Sequence, residues 1–294
     1  MENISNVEVI AQKEFTDHLK SPVFLLFTVT FMLVVITWSY VQGTEVEYTV
    51  NVLGNPDLMK GFEGVAEVVG RFAPVMGIVL GFDAIVKEIK SSSMNVLLTH
   101  PVFRDNIIFG KILGSGLCIL LVLFFSINLA TGVMLMASGI SVTMQQITRI
   151  EVFVILTFFY SLIFLAISMM ISTIAKKSNN SLMFNLIFWL IITVLLSNLI
   201  FTVSYAFSED LNTANGQTQI IKNFLPDYQY TATAVGIKST DTGLTSGIGG
   251  IFDTRYTLGA WAWEFWPNLA YLFVLPFILL IGSVLAFLRK DITY

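Results

Sequence analysis

Residues 152–175, V-F-V-I-L-T-F-F-Y-S-L-I-F-L-A-I-S-M-M-I-S-T-I-A, form an apolar run that contains no charged side chain. A helix needs about 20 apolar residues to cross a hydrocarbon core of ~30 Å, so this run predicts a transmembrane helix. Further runs of the same kind lie at about 22–41, 112–137, 182–207 and 265–288. These five runs predict a chain that crosses a membrane repeatedly.

A sixth run, residues 65–86, is less apolar because it contains Glu67, Arg71 and Asp83. Glu67 and Arg71 are four residues apart, so on a helix they share one face and can pair, which reduces the cost of placing them in lipid. With six spans, most lysine and arginine residues fall on the side of the two termini. The positive-inside rule assigns that side to the cytoplasm.

The composition supports a membrane protein with little soluble part. Of the 294 residues, 55% are hydrophobic and only 12% are charged, and the mean hydropathy is +0.78. Soluble domains contain about 25% charged residues. We therefore expect an all-α integral membrane fold in which residues 1–294 form a single transmembrane domain.

Two segments outside the spans are long enough to fold. Residues 6–20 repeat Val7, Ala11, Phe15 and Leu19 at four-residue steps, which predicts an amphipathic helix in the cytoplasmic interface or, alternatively, a solvated helical tail. Residues 208–264 form a long outer segment. Short helices interrupted at Pro226 are expected there, with flexible chain at 240–250 and no separate domain.

The loop after the second span, K-E-I-K-S-S-S-M-N-V-L-L-T-H-P-V-F-R-D-N-I-I-F-G-K at residues 87–111, is too polar to insert into lipid. Leu97 and Leu98 belong to a small apolar patch, and Pro101 ends any helix that carries it. Such a patch suits docking on a soluble partner. A loop that only keeps its basic residues hydrated is the alternative.

Two patterns inside the spans are candidates for a pathway or for helix packing. The fifth span carries polar or aromatic residues at four-residue steps, namely Asn185, Trp189, Thr193 and Ser197. Such a stripe should face protein or a cavity, either as interhelical hydrogen bonding or as the lining of a route. The second span carries small residues at the same step, namely Ala73, Gly77 and Gly81. These permit close helix approach and are more typical of a packing face.

Several kinds of chemistry find no support in the sequence. No G-x-x-x-x-G-K-[ST] phosphate loop occurs, and neither a G-x-S-x-G nor an H-E-x-x-H motif is found. The two histidines, His18 and His100, lie in different segments, so no histidine metal site is expected. We expect no enzyme activity in this chain, no directly bound cofactor and no nucleic-acid partner.

Residues 83–111 resemble the segment of ABC-2 type permeases that reads roughly E-x-E-x-G-T-L-E-x-L-L-S-x-P-V-x-R-x-x-I-x-x-G-K. The matching positions are Glu88, Leu97, Leu98, Pro101, Val102, Arg104, Ile107, Gly110 and Lys111. The chain departs from the pattern at Lys90 and Asn95, where the family favours acids, and at Ser92 and Ser93, where it favours Gly-Thr. The chain is most similar to the branch that includes the nitrous-oxide-reductase maturation permeases.

The resemblance implies a permease subunit of an exporter in a prokaryotic cell membrane. Two permease copies, identical or related, would pair with two copies of a separate cytoplasmic ATPase, which would hold ATP and Mg. The 87–111 loop would be the coupling loop, and its ATPase-coupling residues would be Glu88, Leu97, Leu98, Pro101 and Arg104.

By the same resemblance, spans two and five face the dimer axis, so the stripe of span five together with Gly77 and Gly81 would line the pathway. A non-transporting scaffold or a mechanotransmitting subunit, coupled to a cytoplasmic ATPase, remains the alternative function. The sequence leaves the substrate open.

Overall fold

The structure is a computed structural model that describes residues 2–53, 58–87, 104–207, 218, 220–238 and 245–289. These residues are almost entirely helical. The helices are α1 (Glu2–Lys20), α2 (Pro22–Leu53), α3 (Leu58–Gly81), α4 (Arg104–Ser138), α5 (Met144–Ile174), α6 (Ser178–Leu190), α7 (Ser197–Phe207), α8 (Pro226–Ala234), α9 (Leu258–Glu264) and α10 (Trp266–Leu288).

Six helices in the described part of the chain are long and apolar enough to cross a membrane, which confirms the predicted all-α fold. We number them spans 1 to 6, and they comprise 22–49, 58–81, 105–138, 144–174, 178–196 and 266–288. Span 2, the least apolar run in the sequence, is one continuous helix that contains Pro74. In span 5, a π-helical segment, Ile191–Leu196, joins α6 to α7.

Several boundaries differ from those predicted; for example, span 1 extends to Thr49 and span 4 begins at Met144. Two of the differences border the loop after span 2. Span 2 ends at Gly81, so Asp83 lies in the following turn rather than inside the helix. Helix α4 begins at Arg104, so the last part of the predicted 87–111 loop already belongs to the helix of span 3. Asp105 in the first turn of α4 favours this early start, because a carboxylate stabilises a helix N-terminus.

The outer segment contains a small sheet that the sequence did not predict. Strands β1 (Gly236–Lys238) and β2 (Thr245–Gly249) pair antiparallel, with Gly236 opposite Gly249. Residues 245–249, expected to be flexible, therefore form a strand. Gly236 has φ +98°, and a Cβ at this position would lie 2.8 Å from the Gly250 nitrogen, so the turn into the sheet requires glycine.

Span 4 forms the centre of the bundle and packs against spans 2, 3 and 6. Its contact with span 2 depends on small residues. A Cβ at Gly77 would lie 2.5 Å from the Ser161 carbonyl oxygen, and one at Gly81 would lie 2.8 Å from the Ser168 Cβ. Ser168 also donates a hydrogen bond of 3.2 Å to the Ile78 carbonyl. The small residues therefore let the two backbones approach closely.

Arg149, fully buried near the outer end of span 4, holds the chain that follows the sheet. Its guanidinium donates hydrogen bonds to the carbonyl oxygens of Ile251, at 2.5 Å, and Tyr256. Between these two residues, Asp253 accepts a hydrogen bond from the Gly249 nitrogen and forms an ion pair with Arg255 at 2.7 Å. The Arg255 hydrogen bonds lower the pKa of the Asp253 carboxyl to about 2. This loop is thus fixed to span 4.

Candidate functional site

A cavity of about 630 Å³ lies between span 2, span 5 and α8. Its walls combine charged, aromatic and hydroxyl side chains. They include Glu67, Arg71, Trp189, Thr193, Asp227 and Tyr230. Along α6, Trp189 is twelve residues beyond Lys177, which corresponds to about 18 Å at 1.5 Å per residue. This distance from Lys177 is shorter than the ~30 Å thickness of a hydrocarbon core, so span 5 places this wall of the cavity at membrane depth.

Span 2 contributes one wall through Glu67, Gly70 and Arg71. Glu67 and Arg71 occupy the same helical face, as predicted from their spacing. Gly70 lies under the Tyr230 ring, and a Cβ there would lie 2.5 Å from Cε1 of that ring. A glycine at this point lets α8 approach the backbone of span 2.

Helix α8 reaches into the bundle because its tyrosine and aspartate side chains bind span 4. Tyr230 is fully buried and stacks on Tyr160 with ring centroids 4.4 Å apart. Its hydroxyl lies 3.1 Å from the Thr157 hydroxyl, and Tyr160 donates a hydrogen bond of 3.3 Å to Asp227. Pro226 occupies the first turn of α8, where a missing N–H costs nothing. These contacts place a carboxylate of the outer segment beside the cavity.

Span 5 supplies the third wall with two residues of the predicted stripe. Trp189 and Thr193 line the cavity, and the Thr193 hydroxyl donates a hydrogen bond of 2.8 Å to the Trp189 carbonyl. In the part of the chain that the structure describes, the buried Trp189 Nε1 has no hydrogen-bond partner. An indole donor that is buried without a partner is costly, whether its surroundings are lipid or protein.

The other predicted pathway residues lie elsewhere. Asn185 is buried below the cavity and donates a hydrogen bond of 2.8 Å to the Ser181 carbonyl. Gly77 and Gly81 pack against span 4 and do not reach the cavity, which favours the packing interpretation of these small residues. Ser197 begins α7, and its side chain lies outside the described residues.

Asp227 and Tyr230 were not anticipated from the sequence. The segment 226–234 is too short and too polar to be recognised as membrane-embedded, because recognition of a span rests on about 20 apolar residues. Their only sequence signal is the proline that starts a short helix. Placement of α8 depends on tertiary contacts with Thr157, Tyr160 and Gly70, which a linear pattern does not encode.

The predicted coupling residues Glu88, Leu97, Leu98 and Pro101 lie outside the described residues. Arg104 begins α4, but its side chain is likewise not described. After this loop, the described residues begin again at Arg104 with α4. This helix is continuous over 35 residues, which corresponds to about 50 Å.

The predicted amphipathic helix α1 packs along the first part of α4. Lys111 forms a buried ion pair with Glu14, with Nζ and Oε1 2.7 Å apart. A Cβ at Gly114 would lie 2.7 Å from the Ala11 carbonyl oxygen, so the two helices are in close contact. Ala11, one of the predicted apolar positions of α1, is buried. Helix α1 is therefore attached to the helix that follows the predicted coupling loop.

Within the described ranges, no cluster of three or more histidine, cysteine, aspartate or glutamate side chains is arranged to hold a metal ion.

The fold agrees with comparison to known proteins. The chain belongs to the ABC-2 family of transporter proteins, whose sequence profile matches residues 8–292. This confirms the family that residues 83–111 indicated, and the protein is a multi-pass membrane protein of that family.

Among individual proteins, the chain is 25% identical over 136 residues to a probable ABC transporter permease protein, NosY, of Stutzerimonas stutzeri; the match covers 46% of this chain and 48% of the relative. It is 31% identical over 117 residues to the probable ABC transporter permease protein NosY of Pseudomonas aeruginosa, covering 39% of this chain and 40% of that protein. The matched region spans less than half of either relative.

Proposed function

We propose that this chain is the membrane permease subunit of an ABC exporter, and that the cavity between spans 2 and 5 is part of its substrate route. The cavity carries the proposal. Charged side chains inside a bilayer are expensive and usually mark a pathway. Glu67, Arg71 and Asp227 border one cavity, together with an indole donor that has no described partner.

The exposure of span 5 supports a second permease copy at this cavity. Only 11% of its most apolar stretch is buried inside the chain, although it borders the cavity on one side. A second copy placed against span 5 would cover this surface and close the cavity. We propose a dimer of two identical or related permease chains, with the route along their shared axis.

Coupling to ATP is assigned to the loop that precedes α4. In this proposal a separate cytoplasmic ATPase holds ATP and Mg and contacts Glu88, Leu97, Leu98, Pro101 and Arg104. Closure of the ATPase dimer would displace α4 and the attached α1 as a unit. The length of α4 supports this arrangement, because a continuous helix transmits a displacement at one end to the other side of the membrane.

The proposed orientation has both termini in the cytoplasm of a prokaryotic cell. Lys176 and Lys177, between spans 4 and 5, and Lys87, after span 2, lie at the same end of the bundle as the termini. Labelling of single cysteines introduced at Asn180 and at the exposed Ser141 in intact cells tests this. Only the cysteine at position 141 should react with a membrane-impermeant reagent.

Glu88→Lys tests the coupling assignment, with Glu8→Lys on the exposed side of α1 as the matched control. The chain is co-expressed with its candidate ATPase and reconstituted into vesicles. Glu88→Lys should reduce substrate-dependent ATP hydrolysis and ATP-dependent flux together, whereas Glu8→Lys should retain both. If no ATPase co-purifies in mild detergent, or if Glu88→Lys leaves flux intact, the assignment fails.

A mechanotransmitting subunit is the second candidate, and the attachment of the outer loop by Arg149 favours it. Motion of span 4 would pass through Arg149 to the carbonyls of Ile251 and Tyr256 and so to the outer surface. Deleting 240–244 separates the candidates. If the chain is a mechanotransmitter, the deletion variant should lose its cellular activity, and neither the wild type nor the variant should show ATP-dependent flux. A measured ATP-dependent flux excludes this function.

A further inference from the structure

A second cavity, of about 220 Å³, lies at the opposite end of the bundle from α8. It is enclosed by α1, the start of α2, the turn after α3 and the first part of α4. It is separate from the cavity between spans 2 and 5. No step of the proposed transport route uses it.

The cavity is lined by equal numbers of opposite charges. Its basic residues are Lys13, Lys87 and Lys111, and its acidic residues are Glu14, Asp17 and Asp83. His18 also faces it, and burial lowers the pKa of this imidazole, so the ring is mainly neutral near pH 7. The lining as a whole is therefore balanced in charge, although it is strongly polar.

The charges are arranged in two layers. Lys111 and Glu14 form the floor as a buried ion pair of 2.7 Å, and Nε2 of His18 lies 3.0 Å from Oγ of Ser115 beside them. Asp83 is half-buried in the wall, where burial raises its pKa and nearby basic residues oppose this. Lys13, Asp17 and Lys87 are exposed at the rim. The wall and rim thus offer both a carboxylate and ammonium groups to an entering molecule.

The cavity opens beside the apolar surface of span 1. Val23 lines it and is 52% exposed, and Leu26, one turn further along α2, is 72% exposed. A molecule with its polar end in the cavity could therefore lay apolar chains along span 1. The position of α1, at the end of spans 1 to 3, is the depth of lipid headgroups.

We propose that this cavity binds the headgroup of phosphatidylethanolamine. The ammonium of ethanolamine would donate hydrogen bonds to Asp83 and Asp17, and the phosphate would accept from Lys13 and Lys87. A charge-balanced lining suits a zwitterion, because each sign finds its complement and no net charge is buried. An anionic headgroup would offer no cation to Asp17 and Asp83, whereas Glu14 is already paired with Lys111. The quaternary nitrogen of choline has no N–H to donate.

The test uses the full-length chain in mild detergent and native mass spectrometry with a methylation series of lipids. Phosphatidylethanolamine, its N-methyl and N,N-dimethyl derivatives, and phosphatidylcholine keep the same charges while the number of N–H donors falls. Phosphatidylglycerol supplies the anionic comparison. Retention should fall with methylation, and phosphatidylethanolamine should exceed phosphatidylcholine by roughly tenfold, the size expected for one charge-assisted hydrogen bond.

Asp83→Asn should reduce the preference for phosphatidylethanolamine over phosphatidylcholine, because the amide is neutral and Asp17 alone remains as a charged acceptor. Asp105→Asn, an exposed acid in the first turn of α4, is the matched control and should retain the preference. Lys13→Gln should weaken the binding of phosphatidylethanolamine and phosphatidylcholine to the same extent, since both lipids carry the phosphate. If Asp83→Asn does not fold, Asp17→Asn replaces it and should reduce the same ratio. Equal retention of the two zwitterionic lipids, stronger retention of phosphatidylglycerol, or an unchanged ratio in the aspartate variants would overturn the proposal.

Discussion

Spans 4 and 5 are consecutive in sequence and both are apolar, yet they have opposite roles in the bundle. In the most apolar stretch of span 4, 72% of the residues are buried, whereas the figure for span 5 is 11%. Span 4 contacts spans 2, 3 and 6 and α8, while span 5 has few contacts within the chain. Hydrophobicity thus shows that both helices enter the membrane but does not tell which one is covered by protein.

The difference lies in the small and hydroxyl-bearing residues. Span 4 carries Thr157, Ser161 and Ser168 on buried faces, where the hydroxyl groups hydrogen-bond to backbone and the small side chains let neighbours approach. Span 5 presents large side chains such as Phe184 and Leu195 outward. In lipid, helices associate through close packing and hydrogen bonds, because apolar surface alone gives no preference for protein over lipid.

The largest effect is expected where span 4 meets span 2. Gly77→Leu should lower stability by about 3 kcal/mol, because even its Cβ would overlap the Ser161 carbonyl. Gly132→Leu on the exposed face of span 3 is the control, since no atom lies within 4 Å of the position that a Cβ would take there, and it should change stability by less than about 0.5 kcal/mol. Thermal unfolding in detergent measures both. Similar losses for the two variants would mean that span 4 is not packed as described.

The next largest loss of stability is expected for a substitution of Arg149, near the end of span 4 that contacts the 251–256 loop. Arg149→Lys should lower stability by about 2 kcal/mol, because one ammonium group cannot replace both hydrogen bonds of the buried guanidinium. The exposed Arg255 is the matched control, and Arg255→Lys can keep its ion pair with Asp253. The unfolding midpoint should be clearly lower for Arg149→Lys than for wild type, and it should be unchanged for Arg255→Lys. Equal midpoints would show that the loop does not depend on Arg149.

Span 5 should respond in function rather than in stability. Trp189→Ala should change stability by about 1 kcal/mol or less, since this helix is poorly covered, but should reduce ATP-dependent flux by opening the cavity wall. Phe184→Ala, on the exposed surface of the same helix, is the control for loss of an aromatic ring. Flux and unfolding are measured on the same preparations. If Trp189→Ala lowered stability as much as Gly77→Leu does, span 5 would be as well packed as span 4, which contradicts the difference described above.

The last comparison concerns the pH dependence of the loop fixed to span 4. The pKa of Asp253 is about 2 in the folded chain, against about 3.9 when unfolded, so the native state binds this proton more weakly. Its contribution is complete above the unfolded pKa and disappears as the pH falls toward about 2. Wild type should therefore be more stable than Asp253→Asn at about pH 6, and the difference should shrink in acid. A constant difference in an acid titration followed by circular dichroism would contradict this.

The sequence predicts the six spans and the family because both are local properties. A run of apolar residues specifies a span wherever it packs, and residues 83–111 carry the family pattern in one segment. The helical face shared by Glu67 and Arg71, and the cavity position of Trp189 and Thr193, follow from helix periodicity.

The remainder of the site depends on contacts between distant segments. Helix α8 enters the bundle because Tyr230 finds Gly70, Thr157 and Tyr160, which lie far from it in the chain. The four-residue stripe of span 5 also loses its simple register at Ile191–Leu196, where the helix changes its hydrogen-bond pattern. A period-based prediction assumes one helix type throughout and cannot anticipate this change.

The π-helical segment gives span 5 a way to turn without bending or breaking. A π turn holds one residue more than an α turn, and each residue of an α-helix corresponds to a rotation of about 100° and a rise of 1.5 Å. If the π turn migrates along the helix, every residue that it passes rotates by about 100° while shifting by only ~1.5 Å. Trp189 lies just before this segment and Thr193 lies within it. Such a migration would let span 5 change the face that it presents to the cavity while its two ends stay at the same depth.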